Sequence, residues 1–551
     1  MKKLTRSRAL SRRSLLGTIS LAYLPGAFAR PSHSAYAKAE AEGIVGGVLK
    51  NLYHIVADTV ITDDLFLFPG AQFHIEQGVT LTIKGDFMAP LSRVFTGEGK
   101  ADLLQSPLRS AKPEWWGAVA NNFSVDCGPA IAACLNAHIA MEFGPGDYFV
   151  PDGIIIDQHN RRIFGTGRTK DFGSTRLVKA GPDGPVAIIG TKTNPGSIND
   201  YVKGVEISRI EFSRTKAGSA PRLGRSTAIG LKISYVLDCR FENLRSNEHS
   251  IGYEITNAVR TIAEDCVAFR SITSGTAKQD MFIGFEIHDN ASLYLKDCNV
   301  SMGGDGHFEP LIGARLSGNI ADSFLVRFET RAMRTGILID GKSLDRSDVA
   351  HQINVHIDTP VLDQCFEYGL HLSKLSAKAS LDITNPYVAA AHGDGTAIQI
   401  ADCRGSLDIS GGQIAATTPL RQSDTQYGAS IVRSSGVRIR GLKIMQFPHP
   451  FTVSNSSFVD TELSIIQMDR TIEFSASASA IAIADSQAIN MRPTIRGKPA
   501  SFQNAVLISG QSERIKIDAT GIDGKALSDE NIARFNGSVL QPDAHNMLMI
   551  P

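Results

Sequence analysis

The sequence predicts an all-β chain that folds as a right-handed parallel β-helix (solenoid) with a short N-terminal capping helix. Two patterns carry this prediction: an apolar tetrad that recurs along the chain, and a second strand with a fixed turn position in most repeats. A solenoid can hold a chain of 551 residues in one elongated body, because each coil packs only against its neighbours.

The tetrad has the form glycine, apolar, any residue, apolar, with alanine once in place of glycine. Successive copies start 22 to 33 residues apart, so the residues beyond a minimal coil are expected to leave as loops on one side. Stacked coils bury their apolar faces and satisfy each other's backbone hydrogen bonds at a spacing of about 4.8 Å. The tetrads are residues 230–233, 252–255, 284–287, 313–316, 336–339, 369–372, 397–400 and 428–431.

The second strand contains one position where the chain is predicted to turn between two sheets. Most residues found there tolerate a left-handed backbone, and Asp238 and Asp265 are expected to join them because each also precedes a cysteine. Stacked aspartates could bind a metal, but asparagine and glycine replace them in the same position. We therefore interpret the column as structural and expect no metal. Its members are Asp297, Thr359, Asn385, Gly411 and Gly441.

Residues 38–110 are predicted to form short alternating strands, and residues 126–137 a short helix that caps the first coil. Two motifs flank this helix: Pro-Glu-Trp-Trp-Gly-Ala at 113–118 and Pro-Gly-Asp-Tyr at 145–148. Over about residues 43–175 the chain resembles the pectate lyase superfamily and phage-tailspike-like proteins. The resemblance implies the right-handed parallel β-helix and suggests a homotrimer. It carries no catalytic residue.

The N-terminus resembles a twin-arginine export signal, with Arg12 and Arg13 ahead of an apolar stretch that is too short to span a bilayer. A basic tail with an accidental apolar patch is the alternative. We expect a periplasmic or secreted protein without a membrane span. The predicted organisation is a signal peptide at 1–37, a β-rich segment at 38–110, the β-helix at 111–470 and C-terminal β-rich coils or cap at 471–551.

Composition argues against several classes of binding partner and cofactor. The 56 basic and 56 acidic side chains balance, which argues against nucleic acid as a partner, since phosphate binding needs clustered positive charge. The seven cysteines include no closely spaced pair of the kind that binds zinc, and we expect them to be reduced core residues. No cofactor is expected, with calcium as the alternative if the protein is a lyase.

The third residue of each tetrad is expected to point away from the core, since side chains alternate along a strand. In this column Glu254 and Glu286 occupy adjacent coils, so their Cβ atoms should lie about 5 Å apart. Two carboxylates at that distance are the equipment of a retaining glycosidase. Lys232, Arg315 and His371 of the same column are candidate substrate-binding residues. The alternative is an ordinary exposed ladder of mixed charge.

A second candidate is the glycine-rich segment 303–309, which contains Asp305 and His307 and leaves the coil directly after that of Glu286. His307 could act as a general base, and a surface turn is the alternative. Together these features predict an exported enzyme that degrades an extracellular or periplasmic polysaccharide, either a glycoside hydrolase or a polysaccharide lyase. A non-catalytic glycan-binding or surface-structural β-helix remains the alternative.

Overall fold

Strands dominate a computed structural model of the chain, which confirms the predicted all-β class. Within the described residues, no helix combines the length and the apolar character needed to cross a membrane. The predicted export signal lies outside them. The structure describes residues 47–167, 173–181, 183–215, 228–271, 281–303, 311–341, 351–390, 395–417, 426–467, 479–497, 502–518, 520–523, 533–535, 538–540 and 547–550.

The N-terminal segment forms nine short strands, as its alternating pattern predicts. They assemble into three separate three-stranded parallel sheets, so the segment is a small three-sided solenoid unit. We call residues 47–102 the N-terminal unit. Its strands are Val48–Leu49, Leu52–Ile55, Thr59–Ile61, Leu65–Leu67, Gln72–Ile75, Thr80–Ile83, Phe87–Met88, Phe95–Gly97 and Lys100–Asp102.

The two motifs behind the family resemblance are joined by a buried hydrogen bond. A 3-10 turn at Pro113–Trp116 buries Glu114, whose carboxylate accepts hydrogen bonds from the Tyr148 hydroxyl and, at 3.2 Å, from the Gly144 amide. Burial and the neighbouring Glu114 carboxylate together raise the pKa of Tyr148, which keeps the phenol protonated. The predicted helix spans Gly128–Ala137 and packs against the first strands of the long solenoid.

Beyond the helix, strands stack into one long solenoid with three sheets per coil. The tetrads all lie in one of them, the tetrad sheet. Its strands are Ile154–Ile156, Pro185–Gly190, Ile229–Leu237, Ile251–Glu264, Phe282–Lys296, Leu311–Val326, Thr335–Asp340, Tyr368–Ser373, Thr396–Ala401, Tyr427–Val432, His449–Ser454, Ser479–Ala484, Asn504–Ser509 and Ala533–Phe535.

The second sheet follows the tetrad sheet within each coil, and the three longest tetrad strands continue into it. Its last strand, Met547–Ile550, pairs antiparallel. Its other strands are Ala140–Glu142, Arg162–Phe164, Glu206–Ser208, Arg240–Glu242, Ile353–Asp358, Ser380–Thr384, Ser406–Ser410, Ser435–Met445, Ser457–Gln467, Gln487–Gly497 and Glu513–Asp518.

The third sheet closes the coil, and the strands that begin at Ser435, Ser457 and Gln487 run into it from the second sheet. Its other strands are Gly146–Phe149, Thr175–Lys179, Glu211–Arg214, Arg245–Asn247, Val267–Ser271, Asn299–Gly303, Glu329–Arg331, Val361–Cys365, Tyr387–Ala390 and Gln413–Ala416. Val202–Lys203 pairs at a corner, and Ser538–Leu540 pairs antiparallel with Ala533–Phe535.

The tetrad glycines mark the place where consecutive coils approach most closely. A Cβ atom on Gly252 would lie 2.5 Å from the Gly284 carbonyl oxygen and 2.6 Å from the Ala268 Cβ. The same contact recurs at Gly284, whose Cβ would meet the Gly313 carbonyl oxygen at 2.6 Å. Glycine recurs at the head of the tetrad because a side chain there would push two coils apart.

We predict that Gly252→Ala destabilises the solenoid, because the added methyl group collides with backbone that cannot move independently. Overpacking of this kind costs about 1–3 kcal/mol. The matched control is Gly167→Ala, since the nearest atom to a Cβ at Gly167 is 3.9 Å away. Thermal unfolding measures both variants, and equal unfolding temperatures would contradict this account of the tetrad.

The turn column is confirmed, with one member misplaced. Asp265, Asp297, Thr359 and Asn385 are all left-handed, with φ between 49° and 54°, and each amide bonds the carbonyl at the end of the next second-sheet strand. Asp238 is also left-handed at φ 56°, but its amide bonds the Val259 carbonyl at a different corner, between the tetrad and second sheets.

Asn243 occupies the position that we assigned to Asp238, since its amide bonds the Glu264 carbonyl, one residue before Asp265. The prediction for Asp238 was wrong because both corners of the coil require a left-handed residue. An aspartate followed by a cysteine fits either corner. The cysteines themselves are confirmed as core residues: all seven are free and buried, and burial raises the pKa of Cys239 to about 11.

Arginine also occupies left-handed corner positions, where it pairs with the aspartate of the preceding coil. Arg327 binds Asp297 through two hydrogen bonds of 2.5 and 2.6 Å, and Arg433 binds Asp402 in the same way. The hydrogen bond from Arg327 lowers the pKa of Asp297. These exposed ion pairs connect adjacent coils along the outside of the corners.

The lowered pKa of Asp297 predicts a pH-dependent contribution to stability. A carboxyl with a depressed folded-state pKa stabilises the fold above its unfolded pKa of about 3.9, and that contribution disappears as the pH falls through the folded value. Arg327→Gln should therefore lower the unfolding temperature slightly near neutral pH, with the difference vanishing in strong acid. Arg209→Gln, in the same turn column and without an ion pair among the described residues, should show no such pH dependence. A pH-independent loss in Arg327→Gln would contradict the prediction.

Candidate functional site

The outward column of the tetrad sheet holds the predicted charged residues in the expected order. Lys232, Glu254, Glu286 and Arg315 are successive register partners on four adjacent coils. The loops between these strands differ in length, yet the register is kept, because the tetrad glycines fix how the coils meet. The carboxylate pair proposed from the sequence therefore lies side by side across two coils.

Each carboxylate of the pair has its own cationic neighbour. The Lys232 Nζ lies 2.5 Å from Glu254 Oε1, and the Arg315 Nε lies 3.8 Å from Glu286 Oε1. We expected this column to face water fully, but the Glu254 side chain is only 18% exposed and that of Glu286 only 7%. Neighbours above and below at the spacing of the coils shield both side chains.

A histidine and a serine complete the surroundings of Glu286. His288 lies two residues further on the same strand face, and its Nε2 is 2.7 Å from Glu286 Oε1. Its other nitrogen, Nδ1, shares a hydrogen bond of 2.5 Å with the hydroxyl of Ser317, the register partner of His288 on the next coil. The imidazole thus lies between the two groups, within ion-pair distance of the Glu286 carboxylate and hydrogen-bonded to the Ser317 hydroxyl.

Ser317 orients the imidazole of His288 and is not placed to attack a substrate. Its side chain is fully buried, so a polymer cannot reach the hydroxyl. What the serine can do is fix the imidazole plane and hold Nε2 against Glu286. Sequence reasoning missed both residues. The signal for His288 is its position two residues after Glu286, and Ser317 follows only from the register between coils.

We predict that Ser317→Ala loosens His288, because the buried Nδ1 loses its partner. An unpaired buried polar group costs about 1–3 kcal/mol, which thermal unfolding would detect. The matched control is Thr256→Val, one coil earlier in the same column, which leaves the bond between His288 and Ser317 intact. Equal stability of the two variants would show that the bond does not hold the imidazole.

His371 belongs to the same column but lies apart from the carboxylate pair. The coils of Arg315 and Leu338 lie between His371 and the coil of Glu286. Its ring contacts Tyr368 at 4.3 Å, and burial lowers its pKa, so the imidazole is neutral at physiological pH. The His371 side chain can therefore form hydrogen bonds but carries no positive charge. Asp305 and His307, the candidates of the glycine-rich segment, lie outside the described residues.

The second sheet carries another carboxylate pair that sequence reasoning missed. Asp382 and Asp408 are register partners on adjacent coils, and Arg440 lies 2.7 Å from Asp408. The signal was the repeated Leu-Asp-Ile at 381–383 and 407–409. The Asp382 side chain is half exposed, so this pair is wetter than Glu254 and Glu286.

An aromatic ladder leads up to Asp382 along the same column. The rings of Tyr294, Phe324 and His356 stack with centroids 4.7 and 4.9 Å apart and nearly parallel planes. Each of these ring contacts joins two adjacent coils, so the ladder helps to hold the coils together.

Comparisons with known proteins support the fold. No protein-family model matches the sequence, and no curated protein matches it. Among solved structures, the chain is similar to the N-terminal fragment of gene product 12 of bacteriophage Phi29, at 12% identity and a TM-score of 0.54, over 80% of this chain and 74% of that one.

It is also similar to the tailspike protein of E. coli bacteriophage HK620 in complex with a pentasaccharide, at 10% identity and a TM-score of 0.54, over 76% of each chain. DFA-IIIase from Arthrobacter chlorophenolicus A6 without its lid gives a TM-score of 0.41 at 14% identity, over 78% of this chain and 99% of that one. At such identities the two phage proteins show the fold alone. The chain has the fold of a tailspike-like right-handed parallel β-helix, as the motifs at 113–118 and 145–148 predicted.

Proposed function

We propose that this chain is an exported enzyme that degrades a polysaccharide outside the cytoplasm, with its site at Glu254 and Glu286. The observation that carries the proposal is the register pairing of these carboxylates on adjacent coils, each beside a different cation. Register partners have Cβ atoms about 5 Å apart, so their carboxyl groups can adopt the spacing of a retaining glycoside hydrolase. An inverting enzyme needs a wider gap for water.

The surroundings divide the work between the two carboxylates. Glu254 lies 2.5 Å from the Lys232 ammonium group and is the nucleophile in this scheme. Glu286 is almost shut off from water and contacts His288, which can pass a proton to it or take one from it. Glu286 is therefore the general acid and base in this scheme, and His288 with Ser317 positions it.

The basic residues on either side of the carboxylate pair indicate the substrate class. Lys232 and Arg315 frame the carboxylates on either side, so an acidic sugar such as a uronate could bind across the column. If the reaction is elimination instead of hydrolysis, the same arginine and lysine stabilise the charge that develops beside a uronate. The site is thus compatible with a lyase, and calcium would then be a candidate cofactor.

Two further features support the proposal. The predicted twin-arginine signal would bring the protein to the periplasm or the cell exterior, where polysaccharides are found. The HK620 tailspike, solved with a pentasaccharide, shows that a solenoid of this fold can hold an oligosaccharide. A homotrimer, suggested by the resemblance to tailspikes, belongs to the same proposal.

One observation favours a non-catalytic glycan-binding or surface-structural protein instead. Glu254 and Glu286 each lie within 4.0 Å of a basic side chain, as in a static ladder that only joins coils.

Assays on a panel of acidic and neutral polysaccharides distinguish the three functions. New reducing ends alone indicate hydrolysis, reducing ends with ultraviolet absorbance of unsaturated sugars indicate a lyase, and binding with neither indicates a binding protein.

We predict that Glu254→Gln and Glu286→Gln each lower the turnover rate by a factor of about 10² or more. The first variant loses the nucleophile, and the second loses the general acid and base. Both glutamines keep the side-chain size, so the unfolding temperature should stay close to that of the wild type. Reducing-end release on the best polysaccharide of the panel measures the effect.

The matched controls are Asp382→Asn and Asp408→Asn, because these carboxylates are also register partners on adjacent coils. Both controls should keep full activity. Activity retained in the two glutamate variants but lost in the aspartate variants would move the site to the second sheet and overturn the assignment.

A further inference from the structure

The N-terminal unit carries a cluster of metal-binding side chains far along the chain from the carboxylate pair. His54 and His74 are register partners on adjacent coils, and Glu76 follows two residues after His74 on the same strand face. One ligand atom from each of the three residues lies within 4.8 Å of the other two. The two imidazole rings lie with their centroids 5.3 Å apart.

A threonine on the third coil contacts Nδ1 of His74. The Thr96 hydroxyl donates to the Phe73 carbonyl oxygen at 3.1 Å, and the same oxygen lies 3.3 Å from His74 Nδ1. With its proton on the carbonyl, the Thr96 oxygen can accept a hydrogen bond from Nδ1–H. That tautomer leaves the lone pair of Nε2 available to a metal ion.

His74 and Glu76 lie close enough to bind the same cation. Nε2 lies 3.7 Å from Glu76 Oε1, which is longer than a hydrogen bond but near the separation of two ligands on one metal ion. A metal ion at this point would bind both atoms and would also bring in the second imidazole, that of His54.

We propose that His54, His74 and Glu76 bind a divalent transition-metal ion of the zinc class. Two imidazoles and one carboxylate suit zinc and its first-row neighbours, whereas calcium and magnesium prefer oxygen ligands throughout. Ligands about 2.0–2.1 Å from zinc in a tetrahedron lie about 3.3 Å apart. His74 and Glu76 are already near that separation, and rotation of the exposed His54 side chain closes the rest.

The ion joins the first two coils of the N-terminal unit. His54 and His74 come from consecutive coils, so one metal bridges two strands of a short, three-stranded sheet. Thr96 links the third coil to the same ion through its contact with Nδ1 of His74, as hydrogen-bond partners of zinc-binding histidines do. The three protein ligands leave a fourth position open to water. This inference is independent of the polysaccharide-degrading activity.

The test uses the full chain, freed of metal by a chelator and titrated with Co²⁺, whose visible absorption reports tetrahedral coordination. The wild type should gain one bound equivalent that His54→Asn and His74→Asn both lack, and Zn²⁺ should displace it. Zn²⁺ should also raise the unfolding temperature of the wild type but not of His74→Asn. The matched control is His356→Asn, since His356 lies 3.6 Å from Asp382 across adjacent coils but forms no three-ligand group among the described residues. It should bind Co²⁺ as the wild type does.

Thr96→Val tests the orienting hydrogen bond without removing a ligand. It should weaken Co²⁺ binding about 10- to 100-fold, the usual effect of losing the hydrogen-bond partner of a metal ligand. Unchanged affinity in Thr96→Val would overturn the role of Thr96. Absence of Co²⁺ binding to the wild type, or equal binding by the wild type and His74→Asn, would show an imidazolium–carboxylate pair only and overturn the metal site.

Discussion

The close approach of backbone between consecutive coils is the constraint on which the rest of this structure depends. Parallel strands must lie about 4.8 Å apart to exchange hydrogen bonds, and at the glycines that head all but one of the tetrads little more than a hydrogen atom fits between the coils. Glycine at that point sets the register, and the register carries every residue two positions later into one column. The loops between coils vary by many residues, yet Glu254 and Glu286 remain partners.

The same constraint explains how much the sequence could predict. Tetrads such as 252–255 and 284–287 repeat visibly, so both the sheet and the column of their third residues could be predicted. The corner residues were harder, because Asp238 and Asp265 have the same local sequence but serve different corners. Contacts that depend on cross-coil register, such as His288 with Ser317, could not be found by looking at either strand alone. In the N-terminal unit the strands were predictable, but their short length hid how they pair, and His54 with His74 went unnoticed.

Charged columns on this solenoid fall into two physical kinds. At the corners, pairs such as Asp297 with Arg327 are exposed, so water screens them and they contribute mainly to the cohesion of neighbouring coils. In the tetrad column, Glu254 and Glu286 are largely enclosed, so the same charges interact through a less polar medium. Both kinds of column are therefore ladders with one residue per coil, and they differ in how far solvent screens their charges.

That difference bears on whether Glu286 is structural. Enclosing a carboxylate costs free energy that an ion pair rarely recovers in full, and an apolar residue at the same position would serve the stacking of coils at least as well. Leu338 occupies that position two coils later and keeps the register with His371, so the fold itself does not need a charge there. Glu286 is kept at this cost next to a second carboxylate and against an imidazole that Ser317 holds in place. This supports the catalytic role that we propose for Glu286.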